Sequence, residues 1–297
     1  MLGEGLQEEG DAPVKEMLAG REVVETLFSL IPHIAAFHCR TDPLYQFVDR
    51  VIRDYFSKFE GDVLDVEPFR GLVWPHISLG NLSSYSFFSM DEGLLHYFYW
   101  HRRNDYDVAF DVGSNIGIDA ILMSRFGYEV HAFEPDRKSF DVLVENARIN
   151  GCENLHAYPK GISDSAGTEE FVRVGGNITA SHVKGAREYF GDIEEQTVEM
   201  MTFDEVGVMP DLVKINVEGY EKVVVPSLPD SVWDNADVFI EIHNEENRSV
   251  VHEHLAKMDV NVFAQKLGWA RADSIEELPV SNREGYIFAS RKERMPW

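Results

Sequence analysis

Cysteine is nearly absent from the 297-residue chain. Cys39 and Cys152 offer neither a zinc-ligand spacing nor a disulfide framework, and two free thiols suit a reducing compartment, so the expected location is the cytoplasm. Positive charge is scarce too. With 52 acidic against 27 basic residues the formal net charge is -25, which leaves no counter-charge for phosphates and argues against a nucleic-acid partner. That excess reads as a solubility and self-repulsion effect, and ten lysines speak against adaptation to high salt. No apolar run approaches the roughly 20 residues that span a bilayer. The acidic first residues (Glu4, Glu8, Glu9, Asp11) lack the basic-then-apolar layout of a signal peptide. Hydrophobic residues still make up 44% of a chain long enough for one large or two small domains, so an ample core is expected.

A further absence bears on the site. The stretch Val108-Ala109-Phe110-Asp111-Val112-Gly113-Ser114-Asn115-Ile116-Gly117 reads as an apolar strand running into a glycine turn, with a helix beginning near Ile118. A second apolar run, Val130 to Phe133, follows and ends on Glu134. Strand, turn, helix, strand and terminal acid describe a pocket for an adenosine-containing cofactor. A dinucleotide site wants a middle glycine so that backbone can approach the pyrophosphate, and here that place is taken by Asn115. A side chain there obstructs a diphosphate but not a phosphate-free ligand such as S-adenosylmethionine. Asp111 can accept from the ligand's ammonium, directly or through water, and Glu134 can take both ribose hydroxyls.

The second informative stretch is Leu212 to Glu221. Val213, Ile215 and Val217 alternate with Lys214, Asn216 and Glu218, and three polar groups in a row on a central parallel strand are costly to bury without partners or a ligand. The next strand, Val238 to His243, ends with Glu241 and His243 two apart. His243 is the first candidate for a general base and Glu218 the second, with Lys214 orienting Glu218 or steadying a developing alkoxide; the bland alternative is a buried ion pair of Lys214 with Glu218 or Glu241. Asn216, Glu241, His243 and Asn244 are all donors for a divalent metal, but no fixed ligand spacing accompanies them and no metal is expected.

Between these stretches, Pro135 to Asn150 reads as a helix and Leu155 to Ile162 as a third strand. Ser163 and Asp164, just past it, lie where an adenine amino group could be held; a simple turn ahead of Gly167 is the alternative. Residues 175 to 196 break the strand–helix rhythm. They are read as a substrate-side loop carrying Ser181 and His182, with Glu241 as a further substrate contact. Upstream, residues 1–13 are expected to fray, and two amphipathic helices are expected between Val14 and Phe59, for packing or homodimer contact. Short strands are expected from Asp62 to Leu82. Ser89 and Glu92 have capping-box spacing for an aromatic-rich helix reaching about Arg103, and Tyr85 to Ser89 could contribute to a lid. The division expected is an extension at 1–84 and a catalytic domain at 85–297.

Together, Asp111 to Gly117, Glu134-Pro135, Gly161-Ile162-Ser163-Asp164, Lys214-Ile215-Asn216-Val217-Glu218-Gly219 and Glu241-Ile242-His243 resemble the FkbM family of class I S-adenosylmethionine-dependent O-methyltransferases. The resemblance runs from about Tyr85 to Ser290, and the loop Asn177 to Ser181 is similar to the family's serine-containing segment. It implies an α/β, Rossmann-like sheet of order 3-2-1-4-5-7-6 with the last strand antiparallel and helices on both faces. It also implies methyl transfer to a hydroxyl of a sugar, glycan or natural product. Cofactor contacts are then carried over to Asp111, Gly113, Ser114, Asn115, Gly117, Glu134, Ser163, Asp164 and Asn216. The family usually has Asp where this chain has Asn216, and an amide neither carries charge nor acts as a base. Two other readings stay open: an NAD(P)-dependent oxidoreductase, which Asn115 disfavours, and a non-catalytic methyltransferase-like binding subunit, which Asn216 favours.

Overall fold

A computed structural model describes residues 20–34, 41–57, 63–73, 89–175, 177–188 and 192–297. The expectations for residues 1–13, for the strands beyond Val73 and for a lid at 85–88 lie outside the described residues.

The main sheet is built from β1 (Val108–Val112), β2 (Glu129–Phe133), β3 (Leu155–Tyr158), β8 (Leu212–Ile215), β9 (Asp237–Glu241), β10 (Asn261–Ala264), β11 (Ala270–Arg271) and β12 (Tyr286–Ser290). Its order is β11-β10-β12-β9-β8-β1-β2-β3. Strand β1 pairs in parallel with β2 on one side and β8 on the other, whereas β12 runs antiparallel between β9 and β10. The expected seven-strand order with its antiparallel last strand is present, and β11 adds an eighth strand at the edge. Because the chain leaves β1 first toward β2 and later returns to β8, the order reverses beside β1. The carboxyl ends of β1 and β8 therefore border a crevice, where ligands bind in open α/β sheets.

Both faces are covered. Phe110, Val112, Val213, Ile215, Val238 and Ile240 share a cluster with Val224 and Val225 of α6 (Glu221–Ser227), Trp233 of α7 (Asp230–Asn235), and Val251 and Leu255 of α8 (Glu245–Leu255). On the other face Ala109, Val130, Leu212 and Phe239 meet Leu95, Phe98 and Tyr99 of α3 (Met90–His101) and Ala120 and Met123 of α4 (Ile118–Phe126). Strand alternation then puts Asp111, Lys214 and Glu241 on the α3/α4 face, two residues on from Ala109, Leu212 and Phe239. Helix α3 is apolar nearly all round because its opposite side packs on α1 (Arg21–Leu30) and α2 (Pro43–Ser57), through Phe28, Val48, Ile52 and Phe56. The apolar stripes of α1 and α2 are thus buried within the chain, leaving Leu44 and Phe47 of α2 exposed. No described helix is long and apolar enough to cross a membrane.

A second sheet replaces two sequence-based expectations. The run Leu155–Ile162 is not one strand: Pro159, which has no N–H to donate, stands between β3 and β4 (Gly161–Ile162), and β4 joins a separate sheet. That sheet has the order β4-β7-β5-β6, with β5 (Gly167–Val174), β6 (His182–Val183) and β7 (Ile193–Met201). Within the segment expected as a loop, His182–Val183 and the first residues of β7 are therefore strand. Alternation in β7 is weak because Glu194, Glu195, Gln196, Thr197 and Glu199 dominate it, and the strand is held by its eight-residue antiparallel register with β5. Arg173 on β5 fastens this sheet to the start of α5 (Arg137–Ile149). Its Nε donates to Asp136 Oδ2 at 3.0 Å, and Gln196 on β7 donates to Oδ1 at 2.8 Å.

Candidate active site

The glycine turn has the conformation its residues allow. Gly113 and Gly117 have φ of 84° and 90°, and Asn115 itself sits at 50°, in a region asparagine tolerates. A Cβ on Gly113 would lie 1.9 Å from the backbone oxygen of Asn216, so close packing of the turn on the end of β8 requires glycine. Glu134, at the end of β2, faces this turn. Its Oε2 accepts from the Asn115 N–H and its Oε1 from the Asp136 N–H, both at 2.8 Å. Burial pushes its carboxyl up to about 8, against those two hydrogen bonds. Each oxygen keeps a lone pair, and two hydroxyls donating there would favour the charged form.

Turn and strand ends surround a 450 Å3 cavity, within the size range of small-ligand sites. Of the residues anticipated from sequence, Gly113, Ser114, Asn115, Glu134, Ser181, Lys214, Asn216, Glu218 and Glu241 line it. Gly117 instead shapes the turn behind, where an added Cβ would lie 2.8 Å from Leu143 Cγ. The second sheet supplies a wall through Gly161, Ile162, Phe171, Val183 and Met200. The side-chain oxygens of Asn115 and Asn216 are buried without hydrogen-bond partners among the described residues, and Asn216 Nδ2 donates to the Tyr286 hydroxyl at 3.4 Å.

Several expected placements are corrected. Asp111 is fully buried behind the wall rather than open to a ligand ammonium. Its neighbour in the β1/β8 register is Lys214, whose Nζ is 3.1 Å from Asp111 Oδ1 and 3.3 Å from Asp119 Oδ2. Lys214 is thereby paired with two aspartates, not with Glu218. Burial alone would lower this ammonium; Asp111 and Asp119 outweigh it and hold it above the ordinary lysine value. Ser163 and Asp164 turn aside: Ser163 Oγ lies 3.1 Å from the Tyr220 hydroxyl, and Asp164 accepts from Ser165 at 3.0 Å. His182 is buried in its own turn, with Nδ1 2.7 Å from Ala180 O.

His243 is also placed differently. Its ring is enclosed by three carboxylates: Glu221 at 2.9 Å from Nδ1, and Glu218 and Glu241, each 3.4 Å from Nε2. Burial opposes its charging, but Glu221 and Glu218 overcome that and raise the imidazole well above its usual range. A histidine held as imidazolium at neutral pH has no free lone pair to take a proton. It borders a second hollow with Arg187, Asn244 and Asn282, and Arg187 also pairs with Glu218. Glu241 differs in being a cavity-lining carboxyl poised near neutrality. Burial raises it, His243 and Lys214 pull it down, Glu218 and Glu221 push it up, and it comes to about 7.

Glu92, His96 and Asp119 line the cavity and were not singled out from sequence. Ser89 Oγ accepts from the Glu92 N–H at 3.3 Å, as capping predicts, but the Glu92 carboxyl turns into the cavity, where burial and then Asp119 raise it to about 8. Asp119 looks like an ordinary first-turn helix acid. Spacing alone could not reveal either role, because both depend on α3 and α4 packing over the polar ends of β1 and β8. Glu221, fully buried, holds the Gly219 N–H at 2.9 Å and the His243 ring; its sequence signal was its place beside the Glu218-Gly219 turn.

The cavity's composition tests the cofactor. Among the described residues its lining carries five carboxyl side chains, Glu92, Asp119, Glu134, Glu218 and Glu241, and one ammonium, Lys214. Such a wall suits a ligand bearing a sulfonium and an ammonium and opposes a pyrophosphate.

A family model described as the methyltransferase FkbM domain matches residues 111–268, more than half of the chain. Over 140 residues the chain is 34% identical to the hexuronic acid methyltransferase AglP of Haloferax volcanii, covering 46% of this chain and 56% of that protein. It is 30% identical over 109 residues to the uncharacterized protein MJ1452 of Methanocaldococcus jannaschii, covering 37% of this chain and 39% of that protein. The chain thus spans about half or less of the length of the curated relatives it matches. An rRNA methylase structure from Streptococcus thermophilus aligns at 11% identity and a TM-score of 0.41, covering 67% of this chain and 95% of that one, a likeness too slight to add to the topology. The motif-bearing residues and the matched span agree: the chain belongs to the FkbM methyltransferase family, and its cofactor is S-adenosylmethionine.

Proposed function

We propose that the protein transfers a methyl group from S-adenosylmethionine to a hydroxyl oxygen of a sugar acceptor, with an acidic sugar of the hexuronic class as the first candidate. The observation that carries the methyl-donor half of this reading is the acidic cavity between the glycine turn and the ends of β8 and β9, which suits a cationic cofactor. When bound, the cofactor supplies an electrophilic methyl group on sulfur and departs as a neutral thioether. Glu134 and the Asn115 backbone would hold the ribose, and the unpartnered oxygens of Asn115 and Asn216 would accept from the remaining polar hydrogens. Glu241 would take the acceptor's proton as the new oxygen–carbon bond forms, since it lines the cavity and burial raises its carboxyl to about 7, within reach of a proton transfer at neutral pH. Lys214, with Asp111 and Asp119, would keep that wall charge-compensated and fixed, and alignment of hydroxyl and methyl would supply much of the rate. The sugar class rests on the printed name of the Haloferax volcanii relative.

The test is transfer of a labelled methyl group to a panel of hexuronides and neutral glycosides. Labelled hexuronide whose label survives mild alkali, as an ether does, is the expected product. Label released by mild alkali would assign the carboxylate, not a hydroxyl, as the acceptor. No transfer to any sugar from an enzyme that binds the cofactor would refute the sugar assignment.

A further inference from the structure

The parallel register of β2 and β3 sets His131 directly beside His156, and Glu129 precedes His131 by two, so all three project from one face of the sheet. They lie at the amino end of these strands. Four residues of strand, about 13 Å, separate Glu129 from Phe133, after which Glu134 borders the cavity. Glu129 Oε1 is 3.6 Å from His131 Nε2 and 3.6 Å from His156 Nε2, and the three ligand atoms all lie within 4.8 Å of one another. Bonds of about 2.0–2.1 Å in a tetrahedron put ligand atoms about 3.4 Å apart, so little movement is needed to close on one ion.

A second observation points the same way. The His131 side chain is 5% exposed, and its Nε2 is buried with no hydrogen-bond partner among the described residues, aimed at Glu129 and His156. Its Nδ1 is 2.9 Å from the Tyr158 hydroxyl, and the rings of Tyr158 and His156 lie against it at centroid distances of 5.8 and 4.9 Å. With Nδ1–H donating to the Tyr158 oxygen, the Nε2 lone pair would be free, the arrangement that orients metal-bound histidines. His156 and Glu129 are half exposed, which gives an ion an entry path and room for a water as fourth ligand. Among the described residues no lysine or arginine pairs with Glu129. The two other histidine–carboxylate clusters differ in this respect, since Asp119 is held by Lys214 and Glu218 by Arg187.

We propose that Glu129, His131 and His156 form a divalent-metal site, with two imidazoles and one carboxylate suited to Zn2+, that clasps edge strand β3 to β2 at the end of the sheet away from the cavity. Zinc would stabilise the fold there without touching the methyl-transfer site.

The experiment is titration of Zn2+ alone into the metal-free full chain, read by calorimetry and thermal unfolding, for wild type, His156→Ala and Glu129→Gln. Both substitutions change half-exposed groups and leave the core intact. Wild type is expected to bind one ion at this site and to gain about 5 °C or more in Tm at a hundredfold excess over Kd. Each variant should keep the zinc-free Tm and lose affinity at least tenfold. A wild type with no shift, or a shift undiminished in both variants, would overturn the proposal.

Discussion

Lys214→Ala is expected to cost about 3–5 kcal/mol of folding stability, because it leaves two carboxylates facing each other in the interior without their shared cation. Asp111 is 0% exposed, and among the described residues the Lys214 ammonium 3.1 Å away is its one cationic partner. Asp119 retains, among the described residues, His96, whose Nε2 is 3.4 Å off. Burial already raises Asp111, and Lys214 is what opposes that rise. Without it Asp111 must take up a proton or stay charged in an apolar setting, and either route is costly at pH 7. Two comparisons separate this from simple loss of packing. Lys214→Arg should recover part of the stability through its charge, and the alanine variant's deficit should shrink as pH falls and the carboxyls are neutralised. Urea unfolding at pH 7.5 and pH 5 measures both. A loss below about 1 kcal/mol at pH 7.5 would mean that the ammonium does not hold the pair together.

The second large effect concerns Glu241→Gln, which is expected to lower kcat by about 10²–10⁴-fold while leaving S-adenosylmethionine affinity nearly unchanged. The sign of the pH dependence follows from the same residue. A base must be ionised to act, and Glu241 comes to about 7, so kcat/KM of the wild type should fall as pH drops through 7 and level off above it. In the Gln variant that acidic limb should vanish along with most of the rate. A carboxylate acceptor needs no base, so full turnover by Glu241→Gln with labelled, alkali-labile product would transfer the chemistry to the sugar's own acid group. His243 cannot stand in for Glu241, since three carboxylates hold its proton in place.

Much of this site was legible in the chain because local pattern and long-range geometry coincide there. The glycine turn, Glu134 about twenty residues on, and the alternation from Val213 to Glu218 each record a strand whose ends border one crevice. The reading weakened where function depends on which helix packs over those ends. Glu92 and Asp119 look like helix-start acids, and nothing in their spacing says that α3 and α4 turn them toward Lys214. The partners of Lys214 were misassigned for the same reason: Asp111 lies beside it in register, a fact set by pairing of β1 with β8. The role of His243 changed because Glu221, only three residues beyond Glu218, folds back under the Gly219 turn to meet its ring. The second sheet escaped because its long strand β7 is mostly polar and takes its shape from β5.

The most direct measurement of the account is calorimetric titration of the wild type and Glu134→Ala with S-adenosylmethionine and, separately, with NADH. Glu134 is placed to accept two hydroxyls, and hydrogen bonds to a charged group contribute about 1.5–3 kcal/mol each, so the alanine variant should bind S-adenosylmethionine at least roughly 10²-fold more weakly. Saturable S-adenosylmethionine binding by the wild type, weakened in this way, with no NADH binding, is the expected result. NADH binding without S-adenosylmethionine binding, or equal S-adenosylmethionine affinity in both proteins, would contradict it.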